Sequence, residues 1–109
     1  MKILIILAIM LMVTIPQLSL AGSQTGKVLN IRVSSKTIGN PTHILLEGAW
    51  SNKPTCAVAW WAIDTDTVAG KSLLSILLTA YSTGKEITLW GTGQCDLRGD
   101  METAFQAGL

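Results

Sequence analysis

From Ile3 to Ile15 the chain is apolar at every position but Thr14, and that run decides how much of the chain is left to fold. Lys2 precedes it, Pro16 ends it, and Ser19-Leu20-Ala21 places small residues at positions −3 and −1 of a cut before Gly22. Charged, apolar and small segments in that order form a secretory signal peptide, expected as a helix over residues 1–21. The run is 13 residues counted from 3 to 15, whereas a membrane-spanning helix needs about 20. A cleaved signal is therefore expected rather than an anchor. No cysteine near the cut offers a lipid attachment point, and no later stretch is long and apolar enough to cross a bilayer. The expected product is exported, periplasmic or secreted, with no stable membrane insertion after cleavage.

Removing 1–21 from the 109-residue chain leaves 88, enough for a single domain over 22–109. So short a chain buries a modest share of its surface and benefits from a covalent staple or a partner. Both cysteines, Cys56 and Cys95, lie in the exported part. In an oxidising compartment they most simply form one disulfide, because neither has CxxC spacing or a neighbouring histidine to suggest a redox pair or half a metal site. Without Lys2, seven basic residues balance seven acidic ones. A neutral domain lacks the phosphate-neutralising charge on which nucleic-acid affinity rests, so nucleic acid is not an expected partner.

Hydrophobic periodicity divides the domain. Gly22 to Gly26 is small and polar, and is expected as a flexible lead-in. Lys27 to Ser34 alternates, with Leu29, Ile31 and Val33 on the apolar face of a first strand. Gly39-Asn40-Pro41 signals a turn, Thr42 to Trp50 a second strand, Ser51 to Pro54 another turn, and Cys56 to Ile63 a third strand. The period then lengthens. Asp64-Thr65-Asp66-Thr67 offers side chains able to cap a helix start, and Leu73, Leu74, Leu77, Leu78 and Tyr81 recur at three- and four-residue steps. Gly84 stands where a left-handed helix cap is expected. Alternation returns over Glu86 to Trp90, with Ile87 and Leu89 facing in. Gly91-Thr92-Gly93 reads as a bulge or tight turn, and Met101 to Ala107 as a last strand. The expected fold is mainly β: a five-stranded sheet curled into a small barrel, with one helix between strands 3 and 4 plugging an open end. The Cys56–Cys95 bridge would then tie the start of strand 3 to the end of strand 4.

Three strands, a helix and two strands is the element order of the OB-fold. Gly26-Lys27-Val28, Cys56, the helical run Lys71 to Ala80, Thr83-Gly84-Lys85-Glu86-Ile87-Thr88-Leu89 and Gly93-Gln94-Cys95 together resemble a group of small secreted proteobacterial proteins of unknown function. The resemblance spans roughly residues 26–105. At greater distance the layout is similar to the B subunits of AB-type toxins, which form five-fold rings and bind cell-surface sugars. No toxin-family motif matches residue by residue, so that likeness implies a fold and nothing about a site.

Sequence chemistry points away from catalysis. His43 is the only histidine and has no Cys, Asp or Glu at ligand spacing. No nucleophile elbow, phosphate-binding glycine pattern or HExxH is present, and Asp64 and Asp66 lack the further oxygen ligands of a calcium loop. No enzyme activity, metal or cofactor is expected. Four tryptophans against one Phe and one Tyr are the remaining lead. Trp60 and Trp61 are consecutive on a strand and must point to opposite faces, while Trp90 lies opposite Ile87 and Leu89. Trp60, Trp61 and Trp90 are thus the candidate ligand-binding residues, since an exposed indole stacks on a sugar ring or anchors a protein interface. Two roles follow: a binding module for an extracytoplasmic glycan, peptide or envelope component, or an assembly subunit that forms a homo-oligomer or docks on a larger secreted protein.

Overall fold

The computed structural model describes residues 21–34 and 41–109. The expected signal-peptide helix, apart from Ala21, and most of the turn before Pro41 lie outside the described residues. The elements are β1 (Ser23–Arg32), β2 (Thr42–Leu46), β3 (Trp50–Ser51), β4 (Trp61–Ile63), α1 (Val68–Thr83), β5 (Glu86–Gly91) and β6 (Glu102–Gly108).

Strand pairing closes on itself. β1 pairs with β2, β2 with β4, β4 with β6, β6 with β5, and β5 again with β1, which makes a ring of strands in one sheet. Among the described residues only the β4–β6 pair is parallel; the short β3 adds to the start of β1. β1 serves two neighbours by dividing its length: Ser23 to Lys27 pair with β5, and Val28 to Arg32 pair with β2.

That division corrects three expectations. Residues 23–26 are strand rather than flexible lead-in, because β5 pairs with all four and β3 adds to Ser23 and Gln24 on the other side. A β-bulge then falls between Val28 and Asn30, where one extra residue turns the strand from one partner to the other. The extra residue reverses the alternation. Gln24 and Val28 point inward before it and Ile31 packs on the core after it, while Leu29 is 52% and Val33 67% exposed. The apolar face expected of Leu29, Ile31 and Val33 is therefore split. Third, the second and third strands are shorter than the sequence suggests. Glu47 to Ala49 separate β2 from β3, with Gly48 at φ 105°. Residues 56–60 form a turn and loop rather than strand, held by Ala57 N–H to the Pro54 carbonyl (3.0 Å) and Val58 N–H to the Asp100 carbonyl (3.0 Å).

α1 is the element the sequence specifies most completely. Thr67 is its N-cap, accepting the Gly70 N–H on Oγ1 at 2.9 Å, and Gly84 ends it in the left-handed conformation at φ 68°. Asp64 organises the turn ahead of the cap, accepting the Asp66 N–H on Oδ1 and the Thr67 hydroxyl on its carbonyl. Leu73, Leu77 and Ala80 form the buried stripe and meet Ile44, Ile63 and Leu89 in the core. Burial of one such leucine contributes about 2 kcal/mol. The Cys56–Cys95 disulfide is formed, with a Cα–Cα distance of 6.3 Å. It joins the loop ahead of β4 to the loop after β5, so it crosslinks the two segments on either side of the β4–α1–β5 unit.

Candidate functional site

On the outer side of β1, β5 and β6 the strand registers assemble one surface. Ser23 lies opposite Trp90, Thr25 opposite Thr88 and Lys27 opposite Glu86, while Gln106 faces Trp90 from β6. The side chains that alternate with these, Ile87 and Leu89, are buried. Trp90 is 37% exposed. The edge of its six-membered ring borders Gly108, where an added Cβ would stand 3.3 Å from Cζ3 and 3.4 Å from Cη2. The absence of a side chain at 108 leaves room for that edge. The hydroxyls of Thr25 and Thr88 are 2.7 Å apart and hold each other in place. The result is a part-exposed indole with a hydroxyl and an amide side chain opposite it on the two neighbouring strands.

Directly inside this surface is a polar layer. Glu102, at the start of β6, has no solvent exposure. Its Oε2 accepts the backbone N–H groups of Gly22 and Gly93, both at 2.9 Å, and its Oε1 accepts the Trp50 indole N–H at 3.3 Å. The Trp50 and Trp61 rings stack 4.3 Å apart at 20°. Trp61 donates its own indole N–H to Gln24 Oε1 at 2.8 Å, and Gln24 Nε2 donates to the Gly48 carbonyl at 2.7 Å. Two stacked indoles thus each reach a different buried polar side chain, so no polar end is left without a partner. The carboxylate also explains its glycines. A Cβ at Gly91 would lie 1.9 Å from Glu102 Oε2, and one at Gly22 2.1 Å from Oε1. Gly91 N–H in turn donates to the Gly22 carbonyl at 2.9 Å. Ser23 and Trp90 are the covalent neighbours of these two glycines, so Glu102 braces the outer surface from beneath.

The three tryptophans singled out by the sequence are not brought together. Trp61 has no exposure and is a core residue, out of reach of an external ligand. Trp60 is half-buried on the outer side near β2, where the Arg32 guanidinium lies 5.1 Å from its ring centroid and the His43 ring meets it edge-on at 4.9 Å and 75°. That ring already carries two neighbours. His43 is itself buried, and its Nδ1 is 2.9 Å from the Pro41 carbonyl, a contact that requires Nδ1 to carry the proton and donate. Of the three, Trp90 presents an exposed indole with Ser23 and Gln106 opposite it in the strand register. A shallow groove of about 150 Å³ between the start of α1 and β6 is lined by Ile63, Leu73, Ala104 and Phe105 with Asp64 and Thr67. Its Thr67 hydroxyl is occupied in capping the helix.

Among the described residues, no three His, Cys, Asp or Glu side chains converge on a position that could hold a metal ion. No helix of the described residues is long and apolar enough to cross a membrane. Glu102 is the residue sequence reasoning did not find. Its partners are backbone groups 80 and nine residues away, and no local spacing announces them; the glycines at 22, 91 and 93 were the available signal. Comparison with family models, with curated proteins and with solved structures finds no match.

Proposed function

We propose that the chain is exported with residues 1–21 removed, and that the mature domain is a non-catalytic binding module whose Trp90 surface takes a sugar ring of an extracytoplasmic glycan. The observation that carries this proposal is the exposure of Trp90 on the outer side of the sheet, its ring edge against Gly108 and its face flanked in the strand register by Ser23 and Gln106, with Thr25 and Thr88 beyond. A pyranose needs that combination, an apolar face for its C–H groups and neutral hydrogen-bonding groups for its hydroxyls. In the same proposal the ring of strands is a five-stranded OB-like barrel. The circuit β1-β2-β4-β6-β5 with a single parallel pair, and α1 between β4 and β5, supports it. The likeness to small secreted proteobacterial proteins, and at fold level to toxin B subunits, belongs to the same proposal. So do the absence of nucleic-acid partners, suggested by the balanced charge, and the absence of catalysis, suggested by the commitment of His43 to Pro41 and Trp60.

The test is a glycan array probed with the oxidised domain, followed by titration of any hit against Trp90→Ala. The expected result is a hit whose affinity falls at least tenfold in the variant. An empty glycan array together with binding on a peptide array would replace the sugar with a peptide.

The assembly role rests on a different observation. Leu74, Leu78 and Tyr81 follow one another at steps of four and three along α1; Leu78 is 48% and Tyr81 55% exposed. That stripe suits a second copy or a larger protein. Light scattering coupled to size-exclusion chromatography tests it: a monomer at micromolar concentration contradicts a homo-oligomer, and a defined oligomer broken by Leu78→Ser with Tyr81→Ser supports one.

A further inference from the structure

Glu102 is a fully buried carboxylate whose three hydrogen-bond donors, Gly22 N–H, Gly93 N–H and the Trp50 indole, are all neutral. Buried carboxylates are ordinarily matched by a positive charge, because neutral donors only partly replace the lost hydration. One of these donors has a special position. Gly22 is the residue that follows Ser19-Leu20-Ala21, so its nitrogen is the atom that cleavage at that point would free. It is buried and lies 2.9 Å from Glu102 Oε2, while Ala21 immediately before it is exposed. The chain therefore comes in from solvent at the bond where the sequence places the cut.

We propose that cleavage of the Ala21–Gly22 bond creates an α-ammonium that Glu102 captures, and that this internal ion pair locks the mature fold. The inference rests on the export proposal above. In the cleavage step water adds across the peptide bond: the hydroxyl goes to the Ala21 carbonyl carbon, and the proton goes to the Gly22 nitrogen as the C–N bond breaks. The catalyst is a peptidase selective for small residues at −1 and −3, acting during export. The released amine takes up one further proton from solvent, as an α-amine ordinarily does at neutral pH. A hydrogen bond from a neutral N–H to Oε2 thereby becomes an ion pair, giving the buried carboxylate the opposite charge that its neutral donors do not supply. Glycine fits the role because a side chain at 22 would collide with Glu102 Oε1 and approach Trp50 Nε1 to 2.7 Å. The consequence for the surface is direct. Gly22 precedes Ser23, which faces Trp90 across the β1–β5 pair, so the ion pair fixes one wall of the Trp90 site only after the leader has gone.

The experiment expresses the full chain with its leader in an exporting bacterial host and measures the intact mass of the recovered oxidised protein. The recovered protein is then treated with an amine-acylating reagent at mildly acidic pH, native and in urea, and labelling at residue 22 is followed by peptide mass. A mass of residues 22–109, with native labelling slowed at least tenfold relative to the unfolded chain, is expected. Glu102→Gln, which keeps an acceptor for Gly22 but removes the charge, should reduce that protection. A second chain keeps Glu102, and its cleavage leaves Ala21 as the first residue. Its α-amine should label at the unfolded rate, and its melting temperature should be lower by about 5 °C or more. A mass that retains the leader, or that shows a cut elsewhere, overturns the export proposal and the inference with it. A Gly22 terminus that labels freely, with no melting difference between the two chains, overturns the inference alone.

Discussion

Replacing Glu102 by alanine removes the acceptor that joins three chain segments, and the geometry gives the size of the effect. Three donors lose their partner: the N–H groups of Gly22 and Gly93, each at 2.9 Å, and the Trp50 indole at 3.3 Å. A buried donor left unsatisfied costs about 1–3 kcal/mol. Water entering the vacated space recovers part of that, because the site is polar and Trp50 is only partly buried. A net loss of about 3–5 kcal/mol is expected, against about 5–15 kcal/mol for the whole stability of a domain of this size. Glu102→Gln should cost less, about 1–2 kcal/mol. Its carbonyl oxygen can still serve Gly22 and Gly93, but its NH2 then faces the Trp50 N–H, and one bond is lost. Urea unfolding of the oxidised protein, followed by far-ultraviolet circular dichroism, gives both values, with the exposed Glu86→Ala as a control within about 0.5 kcal/mol of wild type. Glu102→Ala falling in that same control range would refute the bracing role assigned to the carboxylate.

Other expectations follow from the same structure. Cys56→Ser with Cys95→Ser opens a loop of sequence separation 39 and should lower stability by about 4 kcal/mol by chain entropy, measured by urea unfolding of the double variant. Leu77→Ala, at a position with no exposure, should cost about 2–5 kcal/mol, whereas Leu78→Ala on the outer side of the same helix should cost well under half of that. Thr67→Ala removes the N-cap bond to Gly70 and should cost about 1 kcal/mol in the same assay. Equal losses at Leu77 and Leu78 would contradict the placement of α1.

The parts of the fold that were legible in the sequence are those whose signals are local. α1 carries its own cap at Thr67, its stripe of Leu73 and Leu77 and its stop at Gly84, and all of these were readable within one window. β5 alternates cleanly because one side of it is core and the other solvent. The inward face of β1 was not legible. A bulge at Leu29 follows from β1 having to serve β5 and β2 in turn, and that demand is visible only once the ring closes. Residues 56–60 carry a strand-like run of apolar side chains, yet Val58 N–H is taken by the distant Asp100 carbonyl and Cys56 by Cys95. Trp60 ends the loop ahead of β4, so strand geometry does not set its orientation; Trp61, the first residue of β4, is the buried one. That Trp61 stacks on Trp50 and donates to Gln24, which is 37 positions away, depends on contacts that no local window contains. At the candidate site the exposure of Trp90 was legible from alternation, whereas Ser23, Gln106 and Gly108 join it only through strand register.

The most direct test of the Trp90 proposal is a nuclear magnetic resonance titration of the ¹⁵N-labelled oxidised domain with the strongest glycan from an array. The four tryptophans give four separate indole N–H signals to follow. The account predicts progressive shifts of the Trp90 indole and of the Ser23, Thr88 and Gln106 amides, with the Trp61 indole unmoved. Shifts confined to Arg32, His43 and Trp60, or to the outer face of α1, with Trp90 unaffected, would contradict it.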